Sequence, residues 1–337
     1  MNEEGIIDKA EERVTHLMER LTLLKTEVGK VIIGQEKTLN QLLITFMASG
    51  HALLEGVPGL AKTLMIRTMA EAIDLKFRRI QFTPDLMPSD VIGTEILEED
   101  HSTGKKFFEF NKGPVFTHIL LADEINRTPP KTQSALLEAM QEFEVTYSGE
   151  TYPIEKPFFI LATQNPIEQA GTFPLPEAQL DRFLLYIKID YPEEQQEKDI
   201  LKSTTGLQTV NVEKVISGED IIEIQGLVRQ VPISDELIEV VNTLTRNTRP
   251  ANSHIDYVKE WVSWGAGPRA GQAMILTAKA NALLNGRFAV TKQDIQQVAL
   301  PVLRHRIIVN FKAEAEGVTP DDVTRHLLEQ AQVFNSR

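Results

Sequence analysis

The sequence predicts an α/β fold, a five-stranded parallel sheet flanked by helices, followed by a second, helical domain. An apolar run at residues 52–54 leads through a glycine-containing turn into residues with helical spacing. A second apolar run ends in two acids, Asp123 and Glu124, as expected for a buried parallel strand whose carboxyl end faces a ligand. Strand signals stop near residue 190, and helical periodicity follows. We therefore expect an α/β domain over residues 1–190 and a helical domain over residues 191–337.

Length and composition narrow the class of protein. A chain of 337 residues exceeds the size at which a single core stops growing, in agreement with two domains. Hydrophobic residues at 42% and charged residues at 25% are ordinary for a globular chain. The net charge of −13 disfavours a protein that coats nucleic acid, although it leaves room for a local basic channel. The absence of cysteine excludes disulfides, cysteine-ligated zinc and thiol catalysis.

The first residues are acidic where a secretory signal would be basic, and no apolar run approaches the length of a membrane span. We therefore expect a cytoplasmic protein without a membrane span. Residues 8–30 carry apolar side chains along one helical face, which predicts a helix packed on the chain's own core rather than on a partner. A second helix is expected at residues 37–49, directly before the first apolar run.

The glycine-containing turn has the spacing of a phosphate-binding loop. Its glycines allow backbone N–H groups to close around a phosphate, and the following helix points its positive end at the same place. Lys62 is expected to reach the β- and γ-phosphates of a nucleotide, and Thr63 to place its hydroxyl on Mg²⁺. The predicted nucleotide-binding segment is Gly56, Val57, Pro58, Gly59, Leu60, Ala61, Lys62, Thr63 and Leu64.

One residue of this loop departs from the usual pattern. Glycine normally precedes the lysine, whereas this chain has Ala61. Alanine follows the same backbone path only if this position does not need a positive φ angle. Taken alone, the loop could therefore be a strand-to-helix turn that binds nothing.

The acid pair, about sixty residues further on, favours a nucleotide-hydrolysing site. Asp123 would hold Mg²⁺ through its water shell, and Glu124 would polarise the attacking water. For these two residues alone, the alternative is an ordinary strand followed by a solvated acidic turn. The upstream phosphate loop argues against that alternative.

The remaining elements of the α/β domain follow from periodicity and turn signals. Further strands are expected at residues 77–83, 158–162 and 183–189. Residues 85–93 are expected to be irregular, and residues 94–113 to form a β-hairpin with a polar turn at 98–106. That hairpin could simply cover the sheet edge. A helix is predicted from Thr128, capped by that threonine, and a second hairpin turns at residues 148–150.

The C-terminal part shows helical patterns throughout. Helices are expected at residues 193–203, 218–229, 235–246, 268–284 and 292–300. Thr291 and Asp294 have capping-box spacing, and Pro301 is expected to end or kink the last of these helices. The linker at residues 204–217 has no clear pattern.

Four further segments, together with the loop and the acid pair, closely resemble the AAA+ ATPases of the MoxR family. These segments are Ile-Asn-Arg-Thr-Pro-Pro-Lys-Thr-Gln at 125–133, Leu-Ala-Thr-Gln-Asn-Pro at 161–166, Leu-Pro-Glu-Ala-Gln-Leu-Asp-Arg-Phe at 175–183 and Gly-Pro-Arg-Ala at 267–270. The resemblance extends from about residue 31 to about residue 306. Family members typically carry alanine before the loop lysine, so Ala61 supports the resemblance.

The resemblance implies an AAA+ P-loop NTPase fold with β-hairpin insertions and a lid domain, with ATP and Mg²⁺ as cofactors. Thr63 and Asp123 would be the metal-binding residues, and residues 31–35 would lie against the adenine. Asn165 would lie between the acids and the γ-phosphate and help to place the water. On spacing alone, Asn165 could instead be a turn asparagine before Pro166.

The same resemblance implies functional roles for two arginines. Arg182 matches the arginine finger that completes the site of the adjacent protomer in a hexameric ring. The alternative for Arg182 is a structural ion pair, and Arg127 is a rival for the interface role. Arg269 would bind the nucleotide from the lid and sense the γ-phosphate, in its own subunit or in a neighbour. The implied catalytic set is thus Glu124, Asn165 and Arg182.

The resulting hypothesis is a homo-oligomeric ATPase that remodels or activates a protein partner. The resemblance adds a chaperone-like activity, a von Willebrand A-domain protein as a candidate client, and metal-cofactor insertion in related systems. Two alternatives are a nucleic-acid-translocating motor of the same clade and a nucleotide-gated switch with little turnover. Net charge argues against the motor, and Glu124 argues against the switch. The chain lacks the Asn-Lys-x-Asp guanine motif and any helically spaced histidine pair, so we expect neither a GTPase nor a transition-metal site.

Overall fold

The structure is a computed structural model that describes residues 3–99, 102, 104–167, 171–206 and 210–331, with side chains from residue 12 onward. The described residues leave out parts of the predicted hairpin turn (100, 101 and 103), part of the linker (207–209) and the two ends of the chain (1–2 and 332–337). The helices are α1 (Glu3–Val31), α2 (Glu36–Met47), α3 (Lys62–Ile73), α4 (Pro88–Ile92), α5 (Pro130–Glu142), α6 (Glu177–Leu180), α7 (Glu194–Thr205), α8 (Gly218–Gln230), α9 (Asp235–Asn247), α10 (Asp256–Trp261), α11 (Pro268–Leu284), α12 (Lys292–Leu303), α13 (Phe311–Glu316) and α14 (Pro320–Gln330). The strands are β1 (Ala52–Glu55), β2 (Phe77–Gln81), β3 (Gly93–Glu99), β4 (Lys106–Lys112), β5 (Ile119–Asp123), β6 (Glu144–Tyr147), β7 (Glu150–Pro153), β8 (Phe159–Gln164), β9 (Leu185–Lys188), β10 (Val262–Trp264) and β11 (Ile308–Val309).

Five parallel strands form the central sheet, in the order β2, β5, β8, β1, β9. β5 and β8 are apolar and almost completely buried, as parallel strands covered on both faces must be. Because all five strands run in the same direction, their carboxyl ends share one edge of the sheet. That edge carries the glycine loop after β1 and Asp123 at the end of β5. The predicted five-stranded parallel sheet is confirmed.

One hydrophobic cluster continues from the sheet into the helical region. It contains Leu21 of α1, Leu54 of β1 and Met274 of α11, all of them buried. α1 contacts both α3 and α11, as expected for a helix that packs on the chain's own core. Each such aliphatic side chain contributes about 1.5–3 kcal/mol when fully buried. The hydrophobic core is therefore continuous across residue 190, where strands give way to helices.

The two predicted hairpins are both present. β3 pairs antiparallel with β4, and β6 pairs antiparallel with β7. Between β6 and β7, Ser148 and Gly149 have φ angles of 50° and 87°, as in the two-residue turn that matches the twist of paired strands. The rings of Phe110 in β4 and Tyr152 in β7 stack with 4.3 Å between their centroids. The two hairpins therefore support each other through aromatic packing.

The helical region contains the predicted helices and further elements. α11 has the predicted bounds, and at the start of α12 the Thr291 N–H donates to the Asp294 carboxylate at 2.8 Å, as a capping box requires. α12 continues through Pro301, so the proline does not end this helix. Sequence analysis missed α10, α13, α14 and the antiparallel pair of β10 and β11. Most of these elements are too short to leave a periodic signal, although α14 begins with a capping box that was overlooked.

Two local predictions are wrong. The segment at residues 85–93, predicted to be irregular, contains the five-residue helix α4, which begins at a proline as helices often do. Thr128 does not cap α5, because Pro129 is the N-cap and the Thr128 hydroxyl donates to the Leu86 carbonyl instead.

Across the described ranges of the chain, no helix has the length and apolarity needed to cross a membrane.

Candidate nucleotide-binding site

The glycine loop connects β1 to α3 at the carboxyl edge of the sheet. Gly56 and Gly59 are required for different reasons. A Cβ atom at Gly56 would come within 1.9 Å of the Ile189 side chain, so only glycine lets the loop pass this neighbour. Gly59 has a φ of +89°, a conformation that residues with side chains rarely adopt. The resulting turn leads directly into the N-terminus of α3, whose unpaired N–H groups attract anions.

Ala61 does take the positive φ that sequence analysis treated as incompatible with alanine. Its φ is 54° and its ψ is 22°, in the left-handed region. This conformation costs an L-residue with a side chain roughly 1–2 kcal/mol. Ala61 adopts it at the N-cap position of α3, where most helices have an extended residue. The loop is therefore under local backbone strain, which is often found at functional sites.

Lys62 and Thr63 lie in the first turn of α3. The Lys62 Nζ donates to the Gly56 carbonyl at 2.7 Å, so the ammonium folds back over the loop. Burial lowers the pKa of Lys62, and the negative charges of Asp123 and Glu124 act in the opposite direction. Lys62 is therefore close enough to both acids to interact with them electrostatically.

Asp123 has partners on both neighbouring strands. The Thr163 hydroxyl, on β8, donates to Asp123 Oδ1 at 2.5 Å. Arg79, on β2, donates to Oδ2 through Nε at 3.1 Å and through Nη2 at 2.6 Å. These bonds fix the orientation of a carboxylate that is almost completely buried. Carboxylate and hydroxyl oxygens suit Mg²⁺, so the chemistry of the Asp123 and Thr63 side chains fits this ion.

Glu124 follows β5 in a left-handed conformation, with a φ of 57°. Its backbone N–H donates to the Thr163 hydroxyl at 2.9 Å, so one threonine orients both acids. Its carboxylate Oε2 accepts hydrogen bonds from Gln81 Nε2 and from Arg127 Nη1, each at 2.9 Å. Two neighbours therefore hold the Glu124 carboxylate, one on β2 and one in the turn after β5.

Asn165 lies between the loop and the acid pair. It follows β8, which separates β1 from β5 in the sheet. The Gly56 N–H donates to the Gln164 carbonyl at 3.3 Å, which holds the loop next to Asn165. The Asn165 side chain is buried, and its Oδ1 accepts from the Ile167 N–H at 3.1 Å. The strand order thus brings Asn165 together with both predicted motifs.

A cavity of about 380 Å³ opens beside the loop. Its walls come from the segment before α2, from the loop and from α7, and include Ile32, Ile33, Pro58, Leu64, Tyr191 and Leu201. Gln35, also in the wall, donates from Nε2 to the Asp190 carbonyl at 2.9 Å. A mainly apolar cavity next to a phosphate loop is suited to a nucleotide base. Four of the residues 31–35, all except Gly34, are part of this wall, whereas sequence reasoning did not anticipate the contribution of α7.

Arg182 lies at the opposite, amino-terminal edge of the sheet. It comes three residues before Leu185, the first residue of β9, which pairs with Ala52 at the start of β1. The loop begins four residues after Ala52, which at 3.3 Å per residue places it about 13 Å further along the sheet. The Arg182 side chain makes no hydrogen bond or ion pair with the residues that the structure describes. The structural ion pair considered above is therefore not formed with them.

Arg269 is close to Arg182, at the start of α11. Its Nη1 donates to Asp181 Oδ2 at 3.4 Å, while the Nε of Arg306 donates to Asp181 Oδ1 at 2.7 Å. Arg306 is buried and also donates to the Phe183 carbonyl at 2.9 Å. Asp181 therefore links the turn that carries Arg182 to the helical region. The two predicted arginines lie together, away from the loop of their own chain.

Sequence reasoning missed three polar residues of the site, Arg79, Gln81 and Thr163. The two-residue spacing of Arg79 and Gln81 puts both on one face of β2. No motif marks this pair, and only the strand order shows that β2 lies next to β5. Thr163 lies within a segment that supported the family resemblance, but its contact with both acids depends on the pairing of β5 with β8.

Two family profiles match this chain. Residues 51–185 match the profile of the ATPase family associated with various cellular activities (AAA), and residues 256–327 match that of the AAA lid domain. The first segment contains the loop, both acids, Asn165 and Arg182, and the second contains Arg269.

Individual relatives match almost the whole chain. Identity to Chaperone MoxR1 of Mycobacterium tuberculosis is 41% over 315 residues, which cover 93% of this chain and 81% of that protein. Protein MoxR of Paracoccus denitrificans is 29% identical, with 86% of this chain and 89% of that protein covered. A crystal structure from Cytophaga hutchinsonii, described as a candidate ATPase, superposes with a TM-score of 0.89 at 43% identity and covers 96% of this chain and 98% of that one.

Proposed function

The chain belongs to the MoxR family of AAA+ ATPases, and on that premise we propose that it hydrolyses ATP with Mg²⁺ to remodel or activate a protein partner. The observation that carries this proposal is the strand order. The loop, Asn165 and the acid pair follow three adjacent parallel strands, β1, β8 and β5. A γ-phosphate bound by Lys62 would therefore face both Asn165 and Glu124. Phosphoryl transfer depends mainly on such positioning and on charge stabilisation.

The chain's own groups would hold the triphosphate in the following way. Lys62 would exchange its bond to the Gly56 carbonyl for the β- and γ-phosphates, and the N–H groups at the start of α3 would donate to the same phosphates. Thr63 and Asp123 would hold Mg²⁺, whose charge offsets that of the phosphates when it is bound. Arg79 and Thr163 keep the Asp123 carboxylate oriented toward the site.

Glu124 is the residue proposed to orient and deprotonate the attacking water, with Asn165 helping to place that water. In this structure the Glu124 carboxylate is bonded to Gln81 and Arg127. Hydrogen bonds to a charged group contribute about 1.5–3 kcal/mol each. Both bonds are on Oε2 and restrain the carboxylate, so any movement of Glu124 toward the water that breaks one of them has to be compensated by binding of the nucleotide.

Arg182 and Arg269 are proposed to act on the nucleotide of an adjacent protomer. A fully extended arginine side chain reaches about 7 Å from its Cα, because its six bonds of roughly 1.5 Å follow a zigzag. This reach is less than the separation of about 13 Å along the sheet. A head-to-tail contact between copies would bring both arginines to the neighbouring loop, and such contacts form a ring when the rotation between copies closes. The expected ring is a hexamer, and Arg127, already bonded to Glu124, is the less suitable candidate for the interface role.

A protein client is proposed in preference to nucleic acid. The net charge of −13 disfavours a long contact with a phosphate backbone. The relative in Mycobacterium tuberculosis is named a chaperone, which also supports a protein client. This proposal includes a von Willebrand A-domain protein as the client, insertion of a metal cofactor as the outcome and the cytoplasm as the location. A large, salt-sensitive stimulation of ATP hydrolysis by single-stranded DNA would favour the motor alternative instead.

Two substitutions test the proposed chemistry. Lys62→Ala should abolish ATP binding, because the lysine contributes to phosphate binding in the ground state. Glu124→Gln should bind ATP with little change and stop turnover, because Glu124 acts on the water. Binding of a fluorescent ATP analogue and release of phosphate, measured on both variants, separate the two roles. An equal loss of nucleotide affinity in both variants would contradict them.

The same Glu124→Gln variant can identify the client. Loaded with ATP, it should retain a partner that the active protein releases after hydrolysis. The matched control is Lys62→Ala under identical conditions, which should retain no nucleotide-dependent partner. Proteins captured by the first variant and absent from the second are candidate clients.

A further inference from the structure

Trp264, in β10, is a large apolar side chain that is 70% exposed. Its backbone is held in place, because its strand pairs with β11 through Ile308 and the neighbouring Ser263 hydroxyl donates to the Ile308 carbonyl at 3.0 Å. With only two side-chain torsions, a tryptophan on such a backbone loses little conformational entropy when a partner covers it. Tryptophan is also enriched among the residues that dominate binding energy at protein interfaces.

Trp264 lines a cleft of about 240 Å³ that reaches the turn carrying Arg182. The other side of the cleft is formed by α6 and by Asp181, and its lining also includes His305 and Arg306. One of the lining residues, His305, has a ring nitrogen that is buried and unsatisfied. The His305 Nε2 lies 3.1 Å from the Phe183 carbonyl, which can only accept, so Nε2 carries the proton and Nδ1 is an acceptor. That buried Nδ1 has no hydrogen-bond partner within the described chain.

We infer that Trp264 anchors the contact between neighbouring copies of this chain, with a second copy covering Trp264 and the cleft beside it. This inference rests on the proposed action of Arg182 on an adjacent protomer. Because Arg182 cannot reach its own loop and Arg269 is paired with Asp181 beside it, the proposed action of Arg182 requires a second copy against this face. Asp181 joins the arginine side of the face to the cleft, so a copy that meets the arginines also meets Trp264.

Charge complementarity favours a second copy over another occupant. The face presents two partly exposed arginines, and the loop side of the chain presents the partly exposed Glu124 and the phosphates of a bound nucleotide. Complementary charges orient an interface, whereas a central aromatic side chain supplies most of its affinity. Because the two surfaces differ, the contact is heterologous and repeats around a ring.

The chain's two tryptophans allow a direct test. Trp261 is half-buried, with Lys312 Nζ 4.7 Å from its ring centroid, so Trp261→Phe leaves Trp264 as the single exposed reporter. Emission and iodide quenching are measured across protein concentrations, with Mg²⁺ and a non-hydrolysable ATP analogue, while sedimentation velocity records assembly. Trp264 emission should shift to shorter wavelength and lose most of its iodide quenching as assembly proceeds. The matched control, Trp264→Phe with Trp261 as the reporter, should show neither change.

A second variant measures the contribution of Trp264 to assembly. Trp264→Ala should raise the protein concentration at half-assembly about tenfold or more, as expected for an interface residue worth at least about 1.4 kcal/mol. Phe288→Ala is the matched control, because Phe288 is 54% exposed and lies beyond the far end of α11, about 25 Å from the start of that helix. Phe288→Ala should leave assembly unchanged. Thermal unfolding of both variants checks that folding is intact.

The outcomes separate this inference from the proposed function. The inference would be overturned if the protein assembles while Trp264 remains fully quenchable by iodide. It would also be overturned if Trp264→Ala and Phe288→Ala weaken assembly equally. Neither result would contradict the proposed ring ATPase. Failure to assemble at any concentration, with or without the analogue, would overturn both. A Trp264→Ala protein that does not assemble but keeps its thermal stability and binds nucleotide supports the inference.

Discussion

A mixture of two inactive variants tests whether Arg182 acts across the contact between copies. Arg182→Ala keeps the loop and loses the arginine, whereas Lys62→Ala keeps the arginine and loses the loop lysine. In a head-to-tail ring, each site takes its loop from one copy and its arginine from the next. Random mixing of equal amounts therefore pairs an intact loop with an intact arginine at about one interface in four, the product of two halves.

The recovery should be large compared with the background. Removal of an arginine finger lowers the rate of phosphoryl transfer about 10³- to 10⁵-fold. A quarter of the wild-type activity would therefore exceed the Arg182→Ala parent by at least about 250-fold. Action within one subunit predicts no recovery, because no chain in the mixture carries both Lys62 and Arg182. The separation of about 13 Å between the loop and the start of β9 makes that outcome unexpected.

Phosphate release is measured across mixing ratios, with subunit exchange followed independently by fluorescent labels on the two variants. Activity should follow a parabola with its maximum at equal amounts. Lys62→Ala mixed with the Lys62→Ala/Arg182→Ala double variant is the negative control, since it contains no intact loop. Arg325→Ala, an exposed arginine on α14, should keep the wild-type rate. Exchange without recovery, or a wild-type rate for Arg182→Ala alone, would refute the assignment.

Three further predictions follow from local geometry. Ala61→Gly should raise the free energy of unfolding by about 0.5–1 kcal/mol in chemical denaturation, because relief of roughly 1–2 kcal/mol of left-handed strain exceeds the added entropy of the unfolded chain. Gln81→Leu should raise the basal ATPase rate up to about tenfold in steady-state assays, because Glu124 loses a bond of about 1.5 kcal/mol that restrains it. Burial lowers the pKa of His51 from 6.5 to about 4, so the unfolded chain binds a proton that the folded chain excludes. Stability present above pH 6.5 should therefore fall by about 3 kcal/mol from this residue as the pH drops to 4, in denaturation series at several pH values.

The parts of the site that were predictable are those that lie close together in the sequence. The order of apolar run, glycine loop and helix around Lys62 is local, and so is the acid pair at the end of an apolar run. Their physical basis is a short-range one: backbone geometry at glycine and the free N–H groups of a helix start. Even here one inference failed, because alanine at position 61 tolerates the positive φ that was thought to exclude it.

The contacts that were not predictable depend on strand order, which periodicity does not encode. Gln81 and Glu124 meet only because β2 pairs with β5, with Gln81 beside Asp123 in the register. Thr163 reaches both acids because β8 pairs with β5 on the other side. A buried parallel strand has the same apolar pattern wherever it lies in the sheet. The polar residues next to the acids were therefore visible in the sequence but could not be assigned to them.

The strand order also explains why one copy of this chain is an incomplete ATPase, if Arg182 acts as proposed. β9 is the neighbour of β1, and the two strands are parallel, so a residue before β9 and a loop after β1 must lie at opposite edges of the sheet. No side-chain rotation can close a gap set by the length of a strand. A second copy can close it, since head-to-tail contact places the amino edge of one sheet against the carboxyl edge of the next.

Asp181 would then also link the position of Arg182 to the helical region. By bonding Arg269 and Arg306 at the base of the Arg182 turn, it makes the position of the arginine depend on the packing of α11 and α12. Under this proposal, a movement of the helical region in one copy would change the rate of hydrolysis in its neighbour, which couples the two sites.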